Sequence, residues 1–282
     1  VNVMKRETLR WTIAVFVSFI SILLMTLLIG NVVTSMILLN RSTIDTAVND
    51  SDFISNSYEE FYVRSGHILV EYGAPSDLID PIFTMQQFSS DVHKSIDASY
   101  QKIEPDISFS TQKSDLHIAL KGFIQSEGLT YTDEVDVGIE ELIQRIEQTY
   151  RSSASIPYFN LYQTVLQKYV FYAPYLYLGL FVLFFGSLVF LYKLLKRRSF
   201  LKTSVLLFAS CAWIYILVPG FLLINGFYDR IAIRPMSIQR LIAIFARNTL
   251  LVFLGSGILL FLISMFIYFT LERKRRHFNE TK

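Results

Sequence analysis

Four apolar runs, roughly residues 11–38, 170–195, 203–226 and 248–271, leave this chain few folds to choose from. A helix needs about 20 apolar residues to cross the hydrocarbon core of a bilayer, and each run reaches that length. Hydrocarbon offers no partner for backbone N–H and C=O groups, so a spanning run of this kind is read as a helix. Away from their ends the runs hold no Asp, Glu, Lys, Arg or His. The chain as a whole is 52% hydrophobic over 282 residues, too apolar for an ordinary soluble domain. The first run follows the basic start MKRETLR. It is far longer than the roughly 7–15 apolar residues of a signal peptide and no A-x-A site follows, so it reads as an uncleaved anchor.

Short basic segments set the expected orientation. Lys5, Arg6 and Arg10 precede the first run, Lys193, Lys196, Arg197, Arg198 and Lys202 separate the second from the third, and Arg273, Lys274, Arg275, Arg276 and Lys282 follow the fourth. The loop 227–247 carries only Arg230, Arg234, Arg240 and Arg247. Positive charge accumulates on the cytoplasmic side, so both termini are expected there, in a cell membrane crossed four times. The expected divisions are a cytoplasmic N-terminus at 1–10, membrane helices at 11–38, 170–195, 203–226 and 248–271, and an acidic extracytoplasmic domain at 39–169. A cytoplasmic basic loop at 196–202, an extracytoplasmic amphipathic loop at 227–247 and a cytoplasmic basic tail at 272–282 complete them.

The near-neutral formal charge of +2 conceals a vertical asymmetry. Segment 39–169 holds 20 of the 24 acids against 9 Lys or Arg. The basic runs are topology signals and imply no nucleic acid. Periodicity within 39–169 is helical. Phe61, Ile68, Leu69 and Tyr72 share a face ahead of Gly73, and Phe88, Val92, Ile96 and Tyr100 recur every fourth residue after a Thr84/Gln87 capping pair. Leu116, Leu120, Phe123 and Ile124 form a third stripe, and Val135, Ile139, Leu142, Ile146 and Tyr150 a fourth, with acids at its start where the helix dipole favours them. The expected fold is all-α: four transmembrane helices with an extracytoplasmic bundle of about four helices inserted between the first and second. Tyr162, Tyr169, Tyr172, Tyr175 and Tyr177 are expected to form an interfacial belt.

Few residues are arranged for chemistry. His67, His93 and His117 lie 26 and 24 residues apart, without the short spacings that gather metal ligands on a helix. Asp91 and His93, and likewise Asp115 and His117, stand two residues apart and face different ways. Cys211 sits in an apolar run with no charged neighbour to form a thiolate. The stretch LGSGI at 254–258 lacks the G-x-S-x-G spacing, and no histidine lies in a span to serve as base. Gly255, Ser256 and Gly257 are instead read as a close helix-packing patch, and Pro219 and Gly220 as a kink. No catalytic residue, metal site or cofactor is expected.

The loop 227–247 is the exception that invites a function. Pro235 and Ser237 can start a helix, after which Ile238, Leu241, Ile242 and Phe245 share one face. Its arginines admit three readings: anchoring to lipid phosphates, docking against the acidic domain, or forming an anion or lipid-headgroup site with Asp229 nearby.

The layout, together with SDVHKSIDASY followed by DEVDVGIEELIQRIEQTY and Phe/Ile/Leu-rich spans, resembles four-helix integral membrane proteins of low-GC Gram-positive bacteria with a helical extracytoplasmic domain. That resemblance implies a place in the bacterial envelope and brings no assigned activity. The layout also resembles lipoprotein intramolecular transacylases, which the resemblance would expect to use extracytoplasmic histidines; loop 227–247 has none. The leading expectation is a non-enzymatic sensor, adaptor or accessory protein. It would act in the lipid bilayer through a membrane-protein partner or self-association, because any signal must pass through membrane helices. A lipid- or lipoprotein-modifying enzyme, or a lipid-binding protein, of the outer leaflet is the alternative, and a transporter subunit the third.

Overall fold

A computed structural model describes residues 2–38, 40–101, 103, 105–156, 159–230 and 232–280. Nine α-helices follow one another among these residues. They are α1 (Asn2–Leu38), α2 (Arg41–Asp50), α3 (Phe53–Glu71), α4 (Met85–Gln101), α5 (Ser110–Ser126), α6 (Asp133–Ala154), α7 (Phe159–Leu194), α8 (Arg197–Ile224) and α9 (Met236–Glu280). Short 3-10 turns occupy Ser76–Ile79 and Phe227–Arg230, and no strand occurs among the described residues. Helices α1, α7, α8 and α9 contain four stretches long and apolar enough to cross a membrane, at Thr8–Leu38, Tyr162–Leu194, Ser199–Ile224 and Met236–Arg273. The all-α class is therefore present in the fold, together with four helices whose length and composition suit a multi-pass membrane protein.

The chain divides into two compact units. The larger comprises 1–44, 166–231 and 243–282, and the smaller 45–165 with 232–242. In the larger unit Met25, Phe184, Cys211 and Tyr215 form one buried cluster, and Ala14, Leu191, Leu195 and Leu207 another. Without intramembrane charge, polar ties run through hydroxyls and carbonyls. Ser21 and Ser187 hydroxyls lie 2.8 Å apart between α1 and α7, and Ser264 of α9 donates to the carbonyl of Val205 on α8 at 3.1 Å. Tyr215 donates to the carbonyl of Thr26, one turn from Gly30, where a Cβ would meet the Tyr215 oxygen at 2.7 Å.

Helices α8 and α9 come close at Gly257. A Cβ there would lie 2.8 Å from the backbone carbonyl carbon of Tyr215 and 2.9 Å from its Cβ. Its neighbours differ: nothing approaches a Cβ on Gly255 within 4 Å, and the Ser256 hydroxyl turns back to the carbonyl of Val252 in its own helix. Pro219 lies inside α8, which continues to Ile224, and so gives no N–H to the preceding turn. A Cβ on Gly220 would reach Leu254 only at 3.9 Å, an ordinary contact.

The smaller unit is built from the helical stripes. In α3, Phe53, Ser57, Phe61, Ser65 and Leu69 recur every fourth residue and are all buried. Of the face expected from the sequence, Phe61 and Leu69 are buried and Ile68 half-buried, whereas Tyr72 is 40% exposed; two serines, Ser57 and Ser65, complete the buried stripe. Small residues there let neighbours come close: a Cβ on Gly66 would be 3.2 Å from the Cβ of Ser76. Helix α6 packs on α3, α4 and α5, burying Ile139, Leu142, Ile143, Ile146 and Tyr150. Its start is capped by Thr132, which accepts from the Val135 N–H, and α4 starts likewise with Thr84 accepting from Gln87. Gly73 (φ +78°) and Gly128 (φ +73°) take the left-handed conformation just beyond α3 and α5, where a side chain would be strained. Helix α2 has no counterpart in the sequence reading. Its RSTIDTAVND is rich in turn-forming residues, and burial of Ile44, Ala47 and Val48 overrides that local preference.

At the centre stands Tyr150. Rings of Phe61, Phe83, Phe88 and Phe109 surround it at centroid distances of 5.2, 5.4, 5.5 and 5.8 Å. Its hydroxyl donates to Asp91 Oδ2 at 2.8 Å. Burial first, and the Asp91 bond second, push this phenol well above its ordinary pKa, so it remains a donor.

The α8–α9 contact predicts a sharp difference between two nearby glycines. Gly257→Val should destabilise the detergent-solubilised protein by about 1–3 kcal/mol through overpacking. Gly255→Ala should leave it within about 0.5 kcal/mol. Thermal unfolding of the two variants checks this; equal effects would refute the assigned contact.

Candidate functional site: the grip on the start of the last helix

The segment 232–242 belongs to the smaller unit, although its chain continues directly into the fourth spanning helix. Pro235 stands just before α9, and its carbonyl accepts from Gln239 N–H in the first helical turn. Pro suits this place because the N–H it lacks would have no intrahelical partner. Ile238 (3% exposed) and Leu241 (7% exposed) bury the apolar face foreseen from periodicity.

Free N–H groups at a helix start, and the dipole behind them, attract an anion. Glu60 of α3 supplies it. Ser237 N–H donates to Glu60 Oε1 at 3.3 Å, and the Ser237 hydroxyl donates to Oε2 at 3.2 Å. Ser237 is 1% exposed, whereas Glu60 is half-buried. One turn back on the same face of α3, Asn56 accepts from Arg240 Nη1 at 3.4 Å. The amide group of Asn56 is oriented by its own bonds, donating to the carbonyls of Asp52 at 2.8 Å and Ser51 at 3.3 Å. That leaves its oxygen for the arginine.

The four loop arginines thus part company. Arg240 is engaged with the helical domain, through a neutral amide rather than an acid. Arg230, Arg234 and Arg247 are exposed, and none of them is in an ion pair or hydrogen bond among the described residues. Asp229 shares the 3-10 turn with Arg230 and is exposed as well. Glu60 and Asn56 were not singled out in the sequence. Their spacing of four places both on one helix face, but nothing local tells which partner they meet.

The histidines stay apart. His67 is exposed on α3 and His93 half-buried on α4. His117 reaches across from α5 to Asp136 on α6, with Nε2 3.0 Å from Oδ1. Tyr131 also donates to Asp136, and Lys121 stands 4.6 Å over the Tyr131 ring. These bonds, that of Tyr131 before that of His117, hold the Asp136 carboxyl below its usual range and push the Tyr131 phenol up to about 12. Asp91 and Asp115 do not join their neighbouring histidines: Asp91 points into the core toward Tyr150, and Asp115 is exposed. Among the described residues no group of three or more His, Cys, Asp or Glu is placed to hold a metal. Cys211 is buried in the larger unit, with its sulfur accepting from Thr26 at 3.5 Å. No family model matches this chain, and no curated protein or solved structure does so either.

Two outcomes follow from this geometry. Glu60→Ala should lower stability by about 1–2 kcal/mol, because the buried N–H and hydroxyl of Ser237 lose a charged acceptor. Glu59→Ala, on the exposed side of the same helix, should change it by less than about 0.5 kcal/mol, as thermal unfolding of the two variants checks. Asp136 has a folded pKa below its ordinary 3.8. Its stabilising contribution is therefore complete above that value and lost as pH falls through the folded pKa. The unfolding midpoint should drop more steeply below pH 3.8 in the natural protein than in Asp136→Asn; parallel curves would count against the pair.

Proposed function

We propose that this is a non-enzymatic multi-pass protein of the bacterial cell envelope. In this reading the acidic helical domain lies outside the membrane as a receptor or sensor. Its state passes to a membrane-protein partner, or to another copy of the chain, through the spanning helices. The observation that carries the proposal is the Glu60 grip on the N-terminus of α9: the helix that forms the fourth span begins as a bonded part of the helical domain. Helix α7 supports it, since Phe159–Leu194 is one helix whose first residues belong to the smaller unit. A domain joined to spans by continuous helix transmits displacement without a flexible linker. The positive-inside distribution supports the orientation.

A second reading rests on a separate observation. Arg230, Arg234 and Arg247 are exposed and unpaired among the described residues, and arginine suits bidentate contact with phosphate. They favour an outer-leaflet lipid-handling role over the third possibility, a transporter subunit.

One experiment separates these readings. The full chain, tagged at its C-terminus, is crosslinked in living cells and purified in mild detergent, and bound proteins and lipids are identified by mass spectrometry. A stoichiometric membrane partner or self-association, weakened by Glu60→Ala, is the expected result. No partner, with a specific anionic lipid lost in the Arg230→Ala, Arg234→Ala, Arg247→Ala triple variant, would replace the sensor reading with lipid handling.

A further inference from the structure

The larger unit is densely charged where α7 gives way to α8. Lys193, Lys196, Arg197 and Lys202 are exposed there, as is Arg10 of α1. Helices α7 and α8 contain no acidic residue to offset them. None of the α7–α8 cations is in an ion pair or side-chain hydrogen bond among the described residues. Burial of Ala14, Leu191, Leu195 and Leu207 in one cluster, with Phe200 against it, brings the start of α1 to the end of α7 and the start of α8.

Arg10 is the cation with a fixed posture. Its Nε donates to the carbonyl of Leu194, in the last turn of α7. The final carbonyls of a helix have no partner within it, and the dipole there favours a cation. That bond leaves both Nη groups of Arg10 without another partner among the described residues. A guanidinium held in this way presents a planar fork that suits two oxygens of one phosphate.

The surface beside the cations decides which anion fits. Leu9, Trp11, Val189, Tyr192 and Leu206 are exposed in the adjoining turns. Trp and Tyr favour the level of lipid headgroups. A soluble polyanion or an acidic peptide would neutralise the lysines and arginines and leave this apolar surface bare. A molecule with a phosphate head and acyl tails meets both at once. We infer that the corner where α1, α7 and α8 meet binds the headgroup phosphate of an anionic phospholipid, with Arg10 as its oriented contact and Lys196 and Arg197 as supporting charges. Arg230 stands beyond the opposite end of α8, so this corner is separate from the loop arginines.

Trp11, next to Arg10, reports on the corner, and Trp213 is the only other tryptophan in the chain. The full chain carrying Trp213→Phe is reconstituted in phosphatidylcholine vesicles. These contain rising fractions either of phosphatidylglycerol brominated near the top of its acyl chains or of phosphatidylcholine brominated likewise. Fluorescence should be quenched at an about tenfold lower fraction of the brominated phosphatidylglycerol, and Arg10→Gln should cut that preference about fivefold. The Lys196→Gln, Arg197→Gln double variant should also reduce it and serves if Arg10→Gln fails to fold, as circular dichroism checks. Arg230→Gln should leave it unchanged. Equal quenching by the two lipids would overturn the site. So would a preference that the folded corner variants retain, or one that Arg230→Gln lowers equally. Loss of the preference in millimolar inorganic phosphate at matched ionic strength would overturn it too, by making free phosphate the ligand. None of these failures touches a partner found by crosslinking, so the lipid site and the sensor reading fail separately.

Discussion

The helical domain depends on the bond between Tyr150 and Asp91. A carboxylate that is 2% exposed carries a desolvation penalty of several kcal/mol unless it is paired. The phenol meets it from inside a ring of four phenylalanines, so the polar bond and the aromatic core are the same structural event. Tyr150 cannot move without unpacking the core, and Asp91 cannot leave without exposing an unpaired hydroxyl. This mutual requirement sets the register of α6 against α4. With one cysteine in the chain no internal disulfide is available, so this packing must supply the order that crosslinks give to other small domains.

The larger unit solves a different problem. Lipid is as apolar as leucine, so burial gives its helices little reason to associate, and close packing with hydrogen bonding must serve instead. Gly257 against Tyr215 provides the first. Asn31 shows the second: its backbone carbonyl accepts from Tyr177 at 3.0 Å and from Tyr169 at 2.9 Å, and Ser35 lies 2.6 Å from the Tyr169 hydroxyl. These two tyrosines therefore join α1 to α7, whereas Tyr172 and Tyr175 are 57% and 68% exposed, as residues of an interfacial belt would be. Tyrosine count alone could not separate the two roles.

Much of the architecture was legible because its signals are local. Four apolar runs are visible one residue at a time, and the stripes of α4 and α6 follow a strict period with caps at Thr84 and Thr132. What stayed hidden depends on residues far apart in the chain. Helix α2 looks like a loop until Ile44, Ala47 and Val48 are given neighbours. Glu60 looks like one acid among 20 in its segment until Ser237, 177 positions later, meets it. Asp91 stands two residues from His93, but its partners are Lys94, three positions on, and Tyr150, 59 positions away. In the loop, charge drew notice to the arginines, but the tightest contact is made by a serine and a helix dipole. Charge patterns show where a sequence is unusual; they do not show which neutral group a fold will use.

The grip on α9 also lies at the end of a physically continuous chain. Asp91 accepts from Tyr150; Tyr150 packs on Phe61; Phe61 is next in sequence to Glu60; and Glu60 holds the start of α9. Adjacency of this kind does not itself constitute coupling, which needs an element with two arrangements and a ligand that prefers one of them. The magnitudes favour such an element at Glu60. A bond of about 1–2 kcal/mol shifts a two-state equilibrium roughly five- to thirty-fold. That is enough to matter and small enough to be reversed by a ligand whose affinity differs modestly between states. A buried salt bridge in its place would leave an uncompensated charge each time it opened. A carboxylate held by one backbone N–H and one hydroxyl can exchange both for water, so this contact within the smaller unit can hold and still release.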